Sequence, residues 1–405
     1  MTSSNHPQPR LKFAPDRRLL AAGVVAGVAA GVWVSSKVNS PGDADPKLGL
    51  IDWDQARGIA INMNRGQTLT APERERLDAY YRELGDRCAP LVQAFTGVSL
   101  PKPLDQTFAF DRVDWVNANL EAFKLMFAPI EALNAESSSG SFAAKLWGGV
   151  NRSVVSAEVG LMLGYLARRV LGQYDLALLG REPVSNGKLY YVEPNIQLVE
   201  RTLELPADEF RMWLALHEIT HAFEFEGHPW VRPHFNGLLE RYFEFFKADV
   251  DQLRQGMRGV KAIVDRARSS DRGDASWIEA MMAPEQRVIF TEMQALMCVV
   301  EGYSNYVMNA VGKQLLPNYS SIAAKFERRR RERGFAEQLF ARLTGLDMKM
   351  EQYRLGEEFI ERIAALYGPE AVDQIWVSAV NMPTMDEIRN PDKWTERVLA
   401  PVAAG

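Results

Sequence analysis

Residues 207–226, ADEFRMWLALHEITHAFEFE, decide how this 405-residue chain is read. Apolar side chains recur there at three-to-four spacing, which predicts one helix over the whole stretch. Pro206 suits a helix start, Asp208 and Glu209 favour the first turn, and Gly227 suits the stop. His217 and His221 are four apart, so their rings leave the same face one turn from each other. Two imidazoles so placed can bind one Zn²⁺ at about 2.0–2.1 Å. Glu218, beside the first of them, can reach a water at such a metal without ligating it. That position suits a general base that later carries the proton to a leaving nitrogen. Phe210, Trp213 and Leu214 lead into the same face, so the histidine pair is expected at the edge of a packed core.

A metal site needs a third ligand, and histidine is scarce. The chain has five: His6 in a polar tail, then His217, His221, His228 and His234. The metzincin spacing requires a glycine seven residues and a histidine ten residues after the first histidine, but Glu224 and Gly227 stand there. That arrangement is excluded. A gluzincin-like site takes a glutamate from a later helix, and residues 287–312, RVIFTEMQALMCVVEGYSNYVMNAVG, form the best one. In it Glu301 shares a stripe with Met297, Asn305 and Met308. An ionised carboxylate on an apolar stripe is costly unless it is paired or metal-bound. Glu301 is therefore the expected third ligand, with Asn305 as a hydrogen-bond partner; a salt-bridged structural glutamate is the plainer alternative. Glu224 and Glu240 stay open as other ligands. His228, His234 and Tyr303 are candidates for stabilising an oxyanion, each equally readable as a loop or core residue. Glu218-x-x-His221 is also half of a helical di-iron motif, but no second Glu-x-x-His segment completes it.

The rest of the chain frames this site. Composition is that of a folded protein, 47% hydrophobic and 24% charged, and a net charge of −5 gives no global pull toward nucleic acid. Cys88 and Cys298 match no metal or redox spacing. Residues 1–18 are a polar basic tail, and residues 19–36, LLAAGVVAGVAAGVWVSS, form an uncharged run with glycines at 23, 27 and 31. At 1.5 Å per residue the run reaches roughly 27 Å against a ~30 Å hydrocarbon core. It is expected to be a single-pass membrane anchor, with the main domain outside the cytoplasm. A cleaved signal, or a helix packed on a soluble cytoplasmic protein, is the alternative. Residues 37–47 read as a linker and 48–405 as one domain, mainly helical. Helices are expected over 52–63, 71–84, 115–129 and 142–171. The best strand is Lys188–Val199, which Pro194 demotes to an edge strand or a broken one; as an edge beside the cleft it could hold an extended peptide. Glu327–Arg333 is a basic run on a solvated helix. The fold class expected is α+β, predominantly α-helical, with a small sheet.

Several segments together resemble the zincin-like metallopeptidases of bacterial genomes, long listed as a domain of unknown function. One branch of that family is associated with biosynthesis of a deazaflavin coenzyme. The segments are IDWDQA at 51–56, DRVDWVNANLEAF at 111–123, VLGQYDLALL at 170–179 and LYYVEPNI at 189–196. FRMWLALHEITHAFEFEGHPWVRPHF at 210–235 and LMCVVEGYSNYVMNAVG at 296–312 surround the site. GLDMKMEQYRLGEEFI at 345–360 and MPTMDEIRNPDKWTERV at 382–398 complete the set. The resemblance implies zinc on His217, His221 and Glu301, with Glu218 as the catalytic glutamate, but it supplies no substrate; one zinc per chain and a peptide or protein substrate are expected from the hydrolytic chemistry of the motif itself. Two positions depart from the family's pattern: Tyr303 stands where it has histidine, and Asn305 where it has a carboxylate. A zincin-fold binding or scaffolding protein with little turnover is the alternative function.

Overall fold

The computed structural model describes residues 49, 51–66, 68–136, 152–174, 188–254, 284–331 and 346–400. Helix α1 (Trp53–Met63) starts at Asp52, whose carboxylate accepts the Gln55 N–H at 3.0 Å. Helix α2 (Ala71–Thr96) starts at a capping box made by Thr70 and Glu73. It runs well past the expected end at Leu84, through Gly85 and Pro90. Tyr81, Leu84, Cys88 and Val92 form one buried stripe along it, and this packing outweighs the local helix breakers. Gly97, at φ 67°, ends the helix in the left-handed region.

Strand β1 (Thr107–Phe110) leads to helices α3 (Arg112–Glu136) and α4 (Arg152–Leu166), then to strands β2 (Gly172–Tyr174) and β3 (Leu189–Val192). The strand order is β1-β3-β2, with β3 parallel to β1 and antiparallel to β2. Side-chain alternation lets β3 serve two cores. Leu189 and Tyr191 join the main core, while Val192 joins a second one with Ile51, Trp115, Val116 and Leu163. A strand buried on both faces carries no polar alternation.

Of the two expectations for Lys188–Val199, the broken strand holds and the edge placement is corrected. Only Leu189–Val192 is strand, and it lies at the centre of the sheet. Pro194 sits in the first turn of helix α5 (Glu193–Leu203), where its missing N–H costs nothing. The outer strand beside the site is β2.

Helix α6 (Ala207–Glu226) has the expected bounds. It packs against α2, β2 and helix α8 (Pro284–Leu315), and helix α7 (Val231–Arg254) follows it in sequence. Helices α9 (Tyr319–Arg331) and α10 (Leu346–Tyr367) come next, then the short helices α11 (Pro369–Asp373), α12 (Met385–Arg389) and α13 (Pro391–Val398). Backbones of α8 and α10 meet where a Cβ on Gly302 would stand 2.3 Å from the Gly356 carbonyl carbon. That close approach braces α8 one residue from Glu301. The fold is thus predominantly helical α+β with a small sheet.

The membrane expectation is corrected as well. Among the described residues no helix is long and apolar enough to cross a membrane. The run at 19–36 lies outside the described residues, as do the tail and the linker. The anchored placement, with the domain outside the cytoplasm, is therefore withdrawn.

Candidate metal centre

Helices α6 and α8 together build the site. His217 Nε2 lies 3.6 Å from Glu301 Oε2. One ligand atom each from His217, His221 and Glu301 falls within 4.8 Å of the others. Ligands of a tetrahedral zinc with bonds of 2.0–2.1 Å stand ~3.3–3.5 Å apart, so this donor set fits one ion with slight closure. The two imidazoles sit 4.7 Å apart at 81°. Two histidines and one carboxylate form the donor set of an open, catalytic zinc site rather than a closed structural one.

Hydrogen bonds behind His221 set its tautomer. Its Nδ1 lies 2.7 Å from Glu224 Oε2 and 2.9 Å from Ser304 Oγ, and Ser304 donates to Glu224 Oε1 at 3.2 Å. A carboxylate only accepts, so Nδ1 carries the hydrogen and Nε2 is left as a bare donor of electrons to a metal. Burial pulls the His221 pKa down, but the Glu224 carboxylate outweighs it and raises the ring; an ion at Nε2 would take the place of the proton that this raised pKa favours there. Glu224 is fully buried, and burial raises it to about 7 against the pull of His221. Nδ1 of His217, by contrast, is buried with no hydrogen-bond partner among the described residues. Packing, not a bond, holds that ring.

Glu218 faces the sheet. Only 7% of it is exposed, and burial raises its pKa while the neighbouring histidines lower it. The Tyr174 N–H of β2 donates to its carboxylate. About two turns earlier on α6, Arg211 is tied to Glu193 at 2.8 Å and to Glu200 at 2.7 Å, both on α5. Tyr81 of α2 donates to Glu193 at 2.6 Å. This buried network joins the start of α6 to α2 and α5, so the ligands project from a helix fixed at its base.

Other candidates are placed elsewhere. His228 stacks on Trp376 at 5.1 Å and 18°, and burial lowers its pKa to about 4. His234 packs against Trp230 at 5.8 Å and faces a cavity of about 540 Å³ with Arg287, Thr291, Met382 and Met385. None of the three ligands lines that cavity. Tyr303 is 3% exposed and meets Trp376 edge-on at 5.0 Å; burial pushes its phenol far above the usual range. Glu240 is exposed on α7. Ser304 makes a bond behind His221 that the sequence did not point to, and Glu224 meets the same ring nitrogen.

The helical domain with its small sheet carries, on two packed helices, a His-His-Glu cluster of the kind that could hold a metal in a zincin. The chain belongs to the zincin-like metallopeptidase family, whose profile matches residues 51–395. It is also similar to a solved structure from Chloroflexus aurantiacus, a protein provisionally called a hydrolase with a novel fold. The two share 38% identity with a TM-score of 0.64, over 86% of this chain and 98% of the other. No curated protein matches the chain significantly.

Proposed function

We propose that the protein is a zinc-dependent peptidase, the finer form of the hydrolase that family and neighbour support in general. The convergence of His217, His221 and Glu301, with Glu218 buried beside them, carries the reading. Those three residues would hold one zinc per chain. When bound, the metal supplies Lewis acidity toward a carbonyl and lowers the pKa of water.

The remaining chemistry belongs to the chain's own residues. Glu218 would take a proton from water on a carboxylate oxygen and return it to the departing amine nitrogen. Burial favours that role, since it raises the carboxylate above its ordinary pKa and so makes it a stronger base. Glu224 and Ser304 hold the His221 ring in the tautomer that presents Nε2. Strand β2 lies at the outside of the sheet beside Glu218, and the backbone groups of such a strand suit an extended peptide.

The test is a peptide-library digest by the zinc-loaded protein and by its Glu218→Gln variant. Wild type is expected to cleave. The variant should keep its zinc but lose at least about 100-fold in turnover. Cleavage by both proteins, or by neither, contradicts the peptidase reading; the latter favours a binding or scaffolding role.

A further inference from the structure

We infer that Gly172 is a positioning residue: its missing side chain leaves the slot in β2 that the Glu218 side chain occupies, against the N–H of Tyr174. The geometry stands by itself, and its catalytic consequence rests on the proposed role of Glu218.

Glycine at a strand position, even the first, loses the most freedom on folding and packs nothing. Some local demand must offset that. Backbone conformation does not supply it: the described glycines at positive φ are Gly66, Gly97 and Gly368. Space does. A Cβ built on Gly172 would stand 2.5 Å from Glu218 Oε1 and 2.6 Å from both Cδ and Cγ. Three consecutive atoms of Glu218 lie in the volume a methyl group would need, so rotating the carboxylate alone cannot clear it. The whole side chain would have to leave, and with it the bond from Tyr174 N–H.

The strand register closes the slot on a second side. Gly172 pairs directly with Tyr191 in the antiparallel ladder, and paired residues share a face of the sheet. Tyr191 is 1% exposed and stacks on Tyr81 of α2 at 4.2 Å and 7°. Tyr191 is therefore pinned and cannot retreat to make room. An alanine at 172 meets Glu218 on one side and a fixed ring beside it.

The experiment is a thermodynamic cycle on the zinc-loaded chain: wild type, Gly172→Ala, Glu218→Ala and the double variant, compared by thermal midpoint. Gly172→Ala is expected to lower the midpoint by roughly 3 °C or more when Glu218 is present, and by much less when residue 218 is alanine. An equal drop in both backgrounds overturns the proposal. If Gly172→Ala fails to fold but the double variant folds, the slot is supported. Failure of both shows that the glycine serves the strand rather than Glu218.

A second readout separates positioning from strand packing. On a peptide that wild type cleaves, Gly172→Ala should retain one zinc and lose about 100-fold in kcat with KM nearly unchanged. A loss carried by KM, or by loss of zinc, contradicts positioning. The cycle needs no turnover. Coupling in a protein that cleaves nothing would sink the peptidase reading and leave the slot standing.

Discussion

Four histidines fall between residues 217 and 234, and they divide at the end of α6. His217 and His221, on the helix, converge with Glu301 from α8. His228 and His234, beyond Gly227, turn to aromatic neighbours, one against Trp376 and the other against Trp230. Closeness in sequence is common to all four, but helical spacing belongs only to the first pair in the site. A regular helix holds side chains four apart on one face; past its end that relation is lost. The difference shows that the His-His-Glu cluster that could hold a metal comes from the packing of α6 against α8, not from local abundance of histidine.

The largest break in this comparison should come from Glu301→Ala. Removing a ligand is expected to weaken zinc binding by more than about 100-fold, beyond the 10–100-fold typical of the groups behind ligands. His234→Ala should leave affinity as in wild type. Competition with a chelator measures both, and an unchanged Glu301→Ala would move the third ligand elsewhere.

A smaller effect is expected behind the ligand. Glu224→Gln keeps the shape of the side chain but removes the charge that holds His221 Nδ1–H. Zinc affinity should fall by roughly 10-fold, at the low end for such partners. No change would mean that the ring is held by packing alone, as His217 is.

The smallest effect concerns the other pair. His228 is neutral in the fold, its pKa lowered to about 4 by burial, while an unfolded chain protonates it near its ordinary value of 6.5. Between those values the unfolded state binds the extra proton, so stability falls as pH drops from 6.5 to 4. For this half-buried ring the loss is on the order of 1 kcal/mol after allowance for solvent screening. His228→Phe keeps the stacking on Trp376 and should flatten that part of a melting-temperature profile against pH. Equal acid sensitivity in the variant would remove His228 as its source.

How much of this was legible depended on length and on distance along the chain. Helix 207–226 showed its period and its start and stop signals, so it could be read closely; the helix around Glu301 could be read for the same reason, to within three residues at each end. Glu301 was reachable because a lone carboxylate on an apolar stripe needs a partner. The strands were not: three or four residues carry no period, and a centre strand buried on both faces shows no alternation. Glu224 carried a usable signal, since a residue three after His221 lies behind its ring on the helix. Ser304 carried none, because its bond to His221 spans 83 residues. Gly172 looked like any strand-end glycine until Glu218 was seen beside it.

Zinc stoichiometry of the purified wild-type chain tests the central claim most directly. Metal analysis after dialysis against zinc, with ligand distances from X-ray absorption, should give one zinc per chain with nitrogen and oxygen ligands at about 2.0–2.1 Å. A chain that retains no zinc, or one whose zinc survives replacement of His217 and His221 together, contradicts the account.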